Sequence, residues 1–249
     1  MGSADTGDDV CPDAVPEPKT GRPVPVLTGR LEQHITADVV YAAWQYFLAT
    51  GNTAFREHRL APLAVETARF WASRAEFDAP KGRHVIRNVI GPDEYRVGVD
   101  NNVFTNYMAA WNLALAADEV DRLRSVHARS RLFRQLSVAR DEPARWRAIA
   151  ASLYLPVGAG GRSARIDLED TMGNTGAGMH AAALGGIWQA VIRGFLGLRQ
   201  DGPTPTVCPK LPTAWKSVAT QVRHRGLWYR IEADAAGARV TPLGQPAEG

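Results

Sequence analysis

The chain has 249 residues, a formal net charge of +3, and 45% hydrophobic residues that include seven tryptophans. This length and composition predict one packed domain of ordinary size, or a domain with an appendage. The arginines are spread without a dense run and no nucleic-acid-binding motif is present, so we expect no nucleic-acid partner. No stretch approaches the roughly 20 apolar residues of a membrane helix, and the small, acidic N-terminus does not resemble a secretory signal.

The two cysteines, Cys11 and Cys208, bear on metal binding and on location. Neither lies in a metal-binding spacing, so we expect no zinc site and no other bound metal. Two free thiols are the expected state, which indicates a reducing compartment and therefore a cytoplasmic protein.

The N-terminal part of the chain predicts an irregular segment followed by a helix. Residues 1–30 are rich in proline, aspartate and glycine, which predicts a disordered or extended segment. From Glu32 onward, apolar residues recur at helical spacing until Gly51 and Asn52, which end the helix.

A second helix is expected from Thr53, which is placed to cap it, to about Phe77. Pro62 would kink this helix unless it lies in the first turn. Residues 78–102 then predict a loop with a short hairpin near 84–86. Further helices are expected near 103–124, 127–138, 142–153 and 178–198. A glycine-rich run at 158–161 predicts a flexible linker, and alternation over 218–224 and 227–233 predicts two strands of a small antiparallel sheet.

Residues 88–102 form the strongest candidate for a functional site. They concentrate carboxylates, asparagines and a tyrosine between apolar flanks, and Gly91 and Pro92 prevent regular structure. Catalytic residues commonly lie on polar loops that a rigid scaffold positions. We therefore expect Asp93 and Glu94 on a bent loop between packed elements.

The polar residues at the end of this loop have two interpretations. Asp100, Asn101 and Asn102 precede the helix expected from Val103, and capping of that helix explains one of the three. The two asparagines are also candidates for hydrogen bonds to a substrate.

Two histidines are further candidates. His180 follows Gly178 at the start of an apolar helix, where a lone histidine usually packs or caps, while the nearby amides offer donors to an anion. His34 and Asp38 lie one helical turn apart, so they either point into a site or stabilise their helix as a pair.

Three blocks of the sequence, in the family's order, resemble glycoside hydrolase family 65. The blocks are HITAD at 34–38 with YAAWQY at 41–46; GPDEY at 91–95 with VDNN at 99–102, FTNYM at 104–108 and WNL at 111–113; and GNT at 173–175 with GMH at 178–180 and GGIWQAV at 185–191. The family contains maltose, trehalose and kojibiose phosphorylases and some hydrolases.

The resemblance implies a mainly α fold, a partial (α/α)6 barrel (a toroid) followed by a small C-terminal antiparallel β-sheet. It divides the chain into an N-terminal segment at 1–30, a partial barrel domain at 31–200 that is shortened near 158–166, and a C-terminal β-domain at 201–249. We expect a truncated and internally shortened member. An incomplete barrel would leave apolar helix faces uncovered, which favours association and makes a homo-oligomer a candidate state.

The resemblance also implies a chemistry. Cleavage of an α-glucosidic disaccharide needs an acid that protonates the departing oxygen; in inverting phosphorolysis phosphate attacks and glucose 1-phosphate forms. Glu94 matches the family's catalytic glutamate, and His180 with Gly178 matches its phosphate-binding position. Asp93 is expected to orient neighbours or accept hydrogen bonds at the substrate.

The implied partners are a small sugar and inorganic phosphate as co-substrate, without a cofactor. His34, Asn101 and Asn102 complete the expected substrate-binding set. The chain departs from the family where Gly176 and Ala177 replace an expected carboxylate, which leaves a hydrolase without an obvious base. Three alternatives stay open: an inverting phosphorylase, an inverting trehalase-like hydrolase and an inactive remnant. The sequence does not name the disaccharide.

Overall fold

The computed structural model describes residues 11–92, 94, 96–127, 131–156, 186 and 188–244. The chain divides into two compact units, one made of residues 1–41 and 58–166 and the other of residues 42–57 and 167–249.

The first unit begins with a pair of short strands. Strand β1 (Ala14–Pro16) pairs antiparallel with β2 (Pro23–Pro25), and the short helix α1 (Thr28–Leu31) follows. All six strand residues are exposed, so backbone pairing rather than burial defines this hairpin. The described part of the segment predicted as disordered or extended therefore contains extended strands.

Helix α2 spans Ile35–Thr50 and is followed by the short helix α3 (Thr53–Phe55). The cap of α3 is Asn52, whose side-chain oxygen accepts the backbone N–H of Phe55 at 2.9 Å. The prediction that Thr53 is the cap was therefore wrong by one residue.

The single helix predicted from 53 to 77 is interrupted. A π-helical turn at Arg56–Leu60 separates α3 from α4 (Ala61–Arg74). Pro62 lies in the first turn of α4, directly after the π-helical turn. The break from α-helical hydrogen bonding thus comes immediately before the proline, which has no N–H to donate.

The predicted hairpin and the next three helices are present. Strand β3 (Glu76–Asp78) pairs with β4 (Arg83–Val85) across a 3-10 turn that ends at the left-handed Gly82. The helices are α5 (Val103–His127), α6 (Arg131–Leu136) and α7 (Glu142–Ser152). Helix α5 packs against both α4 and α7. Its fully buried apolar side chains include Ala109, Leu113, Ala116, Ala117, Val120 and Leu123.

The second unit contains the C-terminal sheet. Strands β5 (Ser217–His224), β6 (Leu227–Asp234) and β7 (Gly237–Gly244) form an antiparallel sheet in that order. The strand β7 was not predicted. A π-helical turn at Ala190–Phe195 lies within the helix predicted at 178–198 and contributes to the core of this unit. The members of that core are Ile192, Leu196, Leu198, Val222, Tyr229, Ile231 and Ala233.

The predicted fold class is confirmed, since the chain is mainly helical and carries an antiparallel sheet at its C-terminal end. Several large apolar side chains of the first unit are exposed. They include Ile35, Val39, Phe77, Val97 and Tyr107. Exposure of this kind is what an incomplete barrel predicts.

Candidate active site

The candidate loop is closed by two left-handed residues and one short bridge. Asn88 and Asn101 have φ values of 54° and 58°, a conformation that asparagine tolerates better than most residues. Between them, Val89 and Val99 exchange backbone hydrogen bonds of 3.0 and 2.9 Å. The two ends of the stretch that contains Glu94 are therefore held together by this pairing.

A further hydrogen bond fixes the loop to the segment before α2. The N–H of Ile90 donates to the carbonyl of Leu31 at 2.9 Å. Ile90 is buried. This contact brings the candidate loop beside residues 31–34, which the sequence separates from it by more than fifty positions.

Asn101 is held by the fold at both its backbone and its side chain. Its N–H donates to the Ile86 carbonyl at 2.8 Å, and its side-chain oxygen accepts from the Ile86 N–H and the Asn106 amide, both at 3.3 Å. The same Asn106 amide donates to the Tyr154 carbonyl at 2.6 Å. The buried Asn101 thus joins the loop to Ile86, just after β4, and through Asn106 to Tyr154, which follows α7. Its sugar contact stays a prediction.

Asn102 is the residue that caps α5. Its side-chain oxygen accepts from the backbone N–H of Thr105 at 3.1 Å and from the Thr105 hydroxyl at 3.3 Å. Gly91 lies so close that a Cβ there would overlap the Asn102 amide. Position 91 therefore needs a glycine, because the capping side chain of Asn102 leaves no room for a Cβ. A contact between Asn102 and a sugar stays a prediction.

Arg87 connects the loop to the β3–β4 hairpin, a role that the sequence did not indicate. Its guanidinium donates to Asp78 at 2.8 Å and to Asp100 at 3.3 Å, and it lies 3.6 Å from Glu76. Asp100 also accepts the backbone N–H of Asn88 at 3.0 Å. Asp100 therefore stabilises the loop rather than capping α5.

Glu94, the predicted acid, lies in a turn with an exposed side chain. Asp93 and Tyr95 lie outside the described residues.

His34 is buried among acidic side chains. Only 3% of it is exposed, and its Nε2 lies 3.5 Å from Glu32 Oε1 and 3.9 Å from Asp38 Oδ2. The ring of Phe104 on α5 meets the imidazole edge to face, with 5.4 Å between ring centroids. We call Glu32, His34 and Asp38 the acidic histidine cluster.

The electrostatics of this cluster include Glu94. Burial lowers the pKa of His34, and the charge of Asp38 opposes that effect. Burial raises the pKa of Glu32, and the negative charge of Glu94 raises it further. Burial also raises the pKa of Asp38. The structure thus brings His34 and Glu94 into one electrostatic environment and adds Glu32, which the sequence did not indicate.

His180 and Gly178, the predicted phosphate-binding residues, lie outside the described residues. Within the described part of the chain, no three histidine, cysteine or acidic side chains are grouped to hold a metal ion. No helix in the described part of the chain is both long and apolar enough to cross a membrane.

Two parts of the chain match models of the same protein family. Residues 1–161 match the central catalytic domain of glycosyl hydrolase family 65, and residues 198–248 match the C-terminal domain of the same family. The chain belongs to glycoside hydrolase family 65. The predicted family resemblance is confirmed.

Characterised relatives differ in their named activities. A kojibiose phosphorylase of Halothermothrix orenii is 28% identical over 336 aligned positions, covering 92% of this chain and 43% of the relative. An alpha,alpha-trehalose phosphorylase of Geobacillus stearothermophilus is 25% identical, covering 86% of this chain and 42% of the relative. A kojibiose hydrolase of Flavobacterium johnsoniae is 45% identical over 95 residues, which are 38% of this chain and 14% of the relative. The chain spans less than half the length of these relatives.

A solved structure from the human microbiome, named provisionally as a kojibiose phosphorylase, has a related fold. It matches with a TM-score of 0.56 and 13% identity, covering 83% of this chain and 46% of that protein. At this identity the likeness concerns the fold alone. It is consistent with the helical unit being part of a helical barrel.

The length of the alignments bears on the predicted shortening. The alignment with the Halothermothrix enzyme has 336 positions, more than the 249 residues of this chain, so the relative contains stretches without a counterpart here. The two family models leave residues 162–197 unmatched between them. These observations support an internally shortened member of the family.

Proposed function

We propose that the chain carries the acid side of an active site for inverting phosphorolysis of α-glucosidic disaccharides. The observation that carries the proposal is the match of residues 1–161 to the family's catalytic domain, within which Glu94 lies on a loop anchored at both ends. The printed activities of the kojibiose and trehalose relatives supply the substrate class.

In the proposed reaction, Glu94 donates its proton to the glycosidic oxygen as the bond to the anomeric carbon breaks. Hydrogen phosphate attacks that carbon from the opposite face, which inverts its configuration and forms glucose 1-phosphate. The proton carried by hydrogen phosphate then restores the acid. Phosphate needs cationic and hydrogen-bond donors rather than a general base, and His180 with the Gly178 amide is the proposed donor set.

The acidic histidine cluster supports this role for the loop. Glu94 acts on Glu32 and His34 electrostatically, so three titratable groups converge where the family motif places the acid. Groups with shifted pKa values, such as Glu32 and His34 here, are typical of active sites. His34, Asp93, Asn101 and Asn102 remain the proposed substrate-binding residues.

A phosphate-dependence assay tests the proposal. The purified chain is incubated with kojibiose, trehalose and maltose, with and without phosphate, and glucose and glucose 1-phosphate are measured separately. Glucose 1-phosphate that forms only with phosphate, and is lost in Glu94→Gln, is the expected result. Absence of both products under all conditions, with no difference in Glu94→Gln, contradicts it and indicates an inactive remnant.

A second candidate is hydrolysis of the same linkages, favoured by the likeness to the kojibiose hydrolase. Free glucose in equal yield with and without phosphate is the result that this candidate predicts. The absence of a carboxylate at Gly176 and Ala177 argues against it, because an inverting hydrolase needs a base to activate water.

The location and assembly that we propose are a cytoplasmic protein that is able to self-associate. Cys11 and Cys208 both carry thiols and are not joined in a disulfide, and a reducing compartment keeps cysteines in that state. The exposed apolar side chains of the first unit favour a homo-oligomer. Size-exclusion chromatography with light scattering over a range of concentrations tests the second statement, and a monomer at every concentration contradicts it.

A further inference from the structure

Arg74 connects two segments that lead into the candidate site. It lies in the last turn of α4 and is half-buried. Its Nε donates to the side-chain oxygen of Gln33 at 2.7 Å, and its Nη2 donates to the backbone carbonyl of Arg87 at 2.8 Å. Gln33 directly precedes His34, and Arg87 directly precedes the candidate loop that contains Glu94. One guanidinium group therefore bonds to both segments.

The backbone from which Arg74 projects is fixed by packing. Helix α4 packs against α5, and Trp71 and Ala72, in the same turn as Arg74, are buried. The helix ends directly after Arg74, where the N–H of Ala75 donates to the Trp71 carbonyl at 2.9 Å. Because the backbone is held in this way, the guanidinium group provides a fixed reference for its two acceptors.

On one side of this bridge, Gln33 belongs to the turn that starts α2. Its carbonyl accepts the N–H of Thr36 at 3.1 Å, and the His34 carbonyl accepts the N–H of Ala37 at 2.9 Å. The Gln33 side chain also donates to the Arg30 carbonyl at 3.4 Å, so both ends of its amide group are engaged. A group that holds Gln33 thus holds the first turn of α2, which carries the buried His34.

On the other side, the same two segments meet at a second contact. The N–H of Ile90 donates to the Leu31 carbonyl at 2.9 Å. The bridge through Arg74 joins Gln33 and Arg87, which are close to these two residues along the chain. A single hydrogen bond lets two segments rotate about it, whereas two separate connections fix their relative orientation.

The bridge depends on the shape of the arginine side chain and not only on its charge. Arg74 donates through Nε and one terminal nitrogen, which lie in one rigid plane and so reach two acceptors at once. Neither of these acceptors is a carboxylate. A lysine at this position would keep the charge but would lack the planar pair of donors.

We propose that Arg74 is a positioning residue of the active site, which sets the position of the candidate loop relative to His34 and thereby that of the acid Glu94 relative to the bound sugar. This inference deepens the proposed function and rests on it for its catalytic meaning. Arg74 touches neither sugar nor phosphate in this role. A displacement of about 1 Å can lower an enzymatic rate about 100-fold, so loss of the bridge is enough to affect the reaction.

The first test needs no substrate. Hydrogen exchange of the Ile90 amide is measured by NMR in the full chain and compared with that of the Leu113 amide, which lies in the buried part of α5. In Arg74→Lys the Ile90 amide is expected to exchange at least about 5-fold faster relative to Leu113, because the contact between the two segments opens locally. Global unfolding would accelerate both amides and leave their ratio unchanged.

Two further variants control this measurement. Arg124→Lys removes a guanidinium group that donates to the Ala139 carbonyl at 2.9 Å elsewhere in the first unit, and it should leave the ratio unchanged. Gln33→Leu removes one acceptor of the bridge and should raise the ratio. An unchanged ratio in Arg74→Lys overturns the proposal. If Arg74→Lys does not fold, an unchanged ratio in Gln33→Leu overturns it instead.

The second test separates a displaced acid from a partly unfolded protein. The substrates are the disaccharide that the phosphate-dependence assay identifies and α-glucosyl fluoride. With the fluoride, hydrogen phosphate attacks the anomeric carbon, the carbon–fluorine bond breaks, and fluoride leaves with the bonding electrons. This departure needs no proton from Glu94, whereas departure of the sugar oxygen does.

Arg74→Lys is expected to lower kcat for the disaccharide by about 10- to 100-fold and kcat for the fluoride by less than about 3-fold. Arg124→Lys should change neither value. An equal loss for both substrates would assign Arg74 a purely structural role and overturn the proposal. If the wild type forms glucose 1-phosphate from neither substrate, the proposed function fails, and hydrogen exchange still decides whether Arg74 holds the loop in position.

Discussion

The segment at 86–102, which contains the candidate loop, and the sheet β5–β7 are stabilised in different ways. In the loop, left-handed asparagines set the backbone direction, a capping side chain holds one backbone N–H, and Arg87 pairs with two carboxylates. In the sheet, the alternation of β6 places Tyr229, Ile231 and Ala233 inside and leaves Arg230 outside. A loop of this kind depends on the identity of single polar residues, whereas the sheet depends on apolar volume at alternate positions.

The largest expected effect comes from the loop. Glu94→Gln should lower kcat for phosphorolysis by about 100- to 10,000-fold, the usual contribution of a general acid. Because the side chain is exposed, stability should change by less than about 0.5 kcal/mol. Glucose 1-phosphate release and thermal unfolding measure the two quantities. Glu232→Gln on β6 is the control. Equal losses of kcat in both variants would show that the loop is no more important for catalysis than the sheet.

In the sheet, the expected effect is on stability instead. Ile231 is fully buried, so Ile231→Ala should lower the free energy of unfolding by about 2–5 kcal/mol through lost burial and a new cavity. Leu227→Ala on the same strand removes a side chain that is 38% exposed and should have a smaller effect. Urea unfolding measures both, and similar losses would mean that alternation does not determine the core of this unit.

The cap of α5 should have an intermediate effect. Asn102→Ala removes the acceptor for Thr105 and should destabilise the protein by about 0.5–2 kcal/mol. Asn102→Asp preserves an acceptor and should recover most of the loss. Asn52→Ala, which removes the cap of the three-residue helix α3, is the comparison in urea unfolding. A larger loss of unfolding free energy in Asn52→Ala than in Asn102→Ala would show that the α5 cap does not contribute more to stability than the α3 cap.

The smallest effect is a dependence of stability on pH. Because the pKa of His34 is lowered in the folded state, the unfolded state binds more protons, and stability falls as pH drops below the unfolded value of 6.5. His34→Gln should remove a slope of at most about 1.4 kcal/mol per pH unit between the two pKa values. The raised pKa values of Glu32 and Asp38 act in the opposite direction above their unfolded values of 4.5 and 3.8.

Urea unfolding at several pH values between 5 and 7.5 measures this slope. His84, whose pKa is also lowered by burial, gives a matched variant, His84→Gln, that should remove a separate part of the slope. A wild-type slope that persists unchanged in His34→Gln would show that the buried imidazole is not responsible.

The sequence predicted the elements whose signals are local. Helical periodicity located α2, α5 and α7, and alternation located β5 and β6. It missed β7, whose sequence from Gly237 to Gly244 contains a glycine at each end and Pro242, all of which weaken a strand pattern. It also missed the π-helical turn at Arg56–Leu60, because a break in the hydrogen-bond pattern leaves the spacing of apolar residues almost unchanged.

The candidate site was predictable only in part. The family motif identified Glu94, and helical spacing identified the His34–Asp38 pair. Glu32 was not identified, because its place beside the candidate loop depends on the contact between Ile90 and Leu31, which lie far apart in the sequence. Arg87 was not identified, because its partners Asp78 and Asp100 lie on either side of it in segments that only the fold brings together. A pattern within a single sequence does not contain the distances that produce such contacts.

The two asparagines at the turning points of the loop restrict which sequences can replace this one. At position 88, a randomised library selected for folded protein should recover asparagine, glycine and aspartate, since these residues accept a positive φ most readily. At position 101 glycine should be rare, since it would leave the Asn106 amide without one of its acceptors. Two positions of equal backbone geometry should therefore diverge in the residues that survive selection.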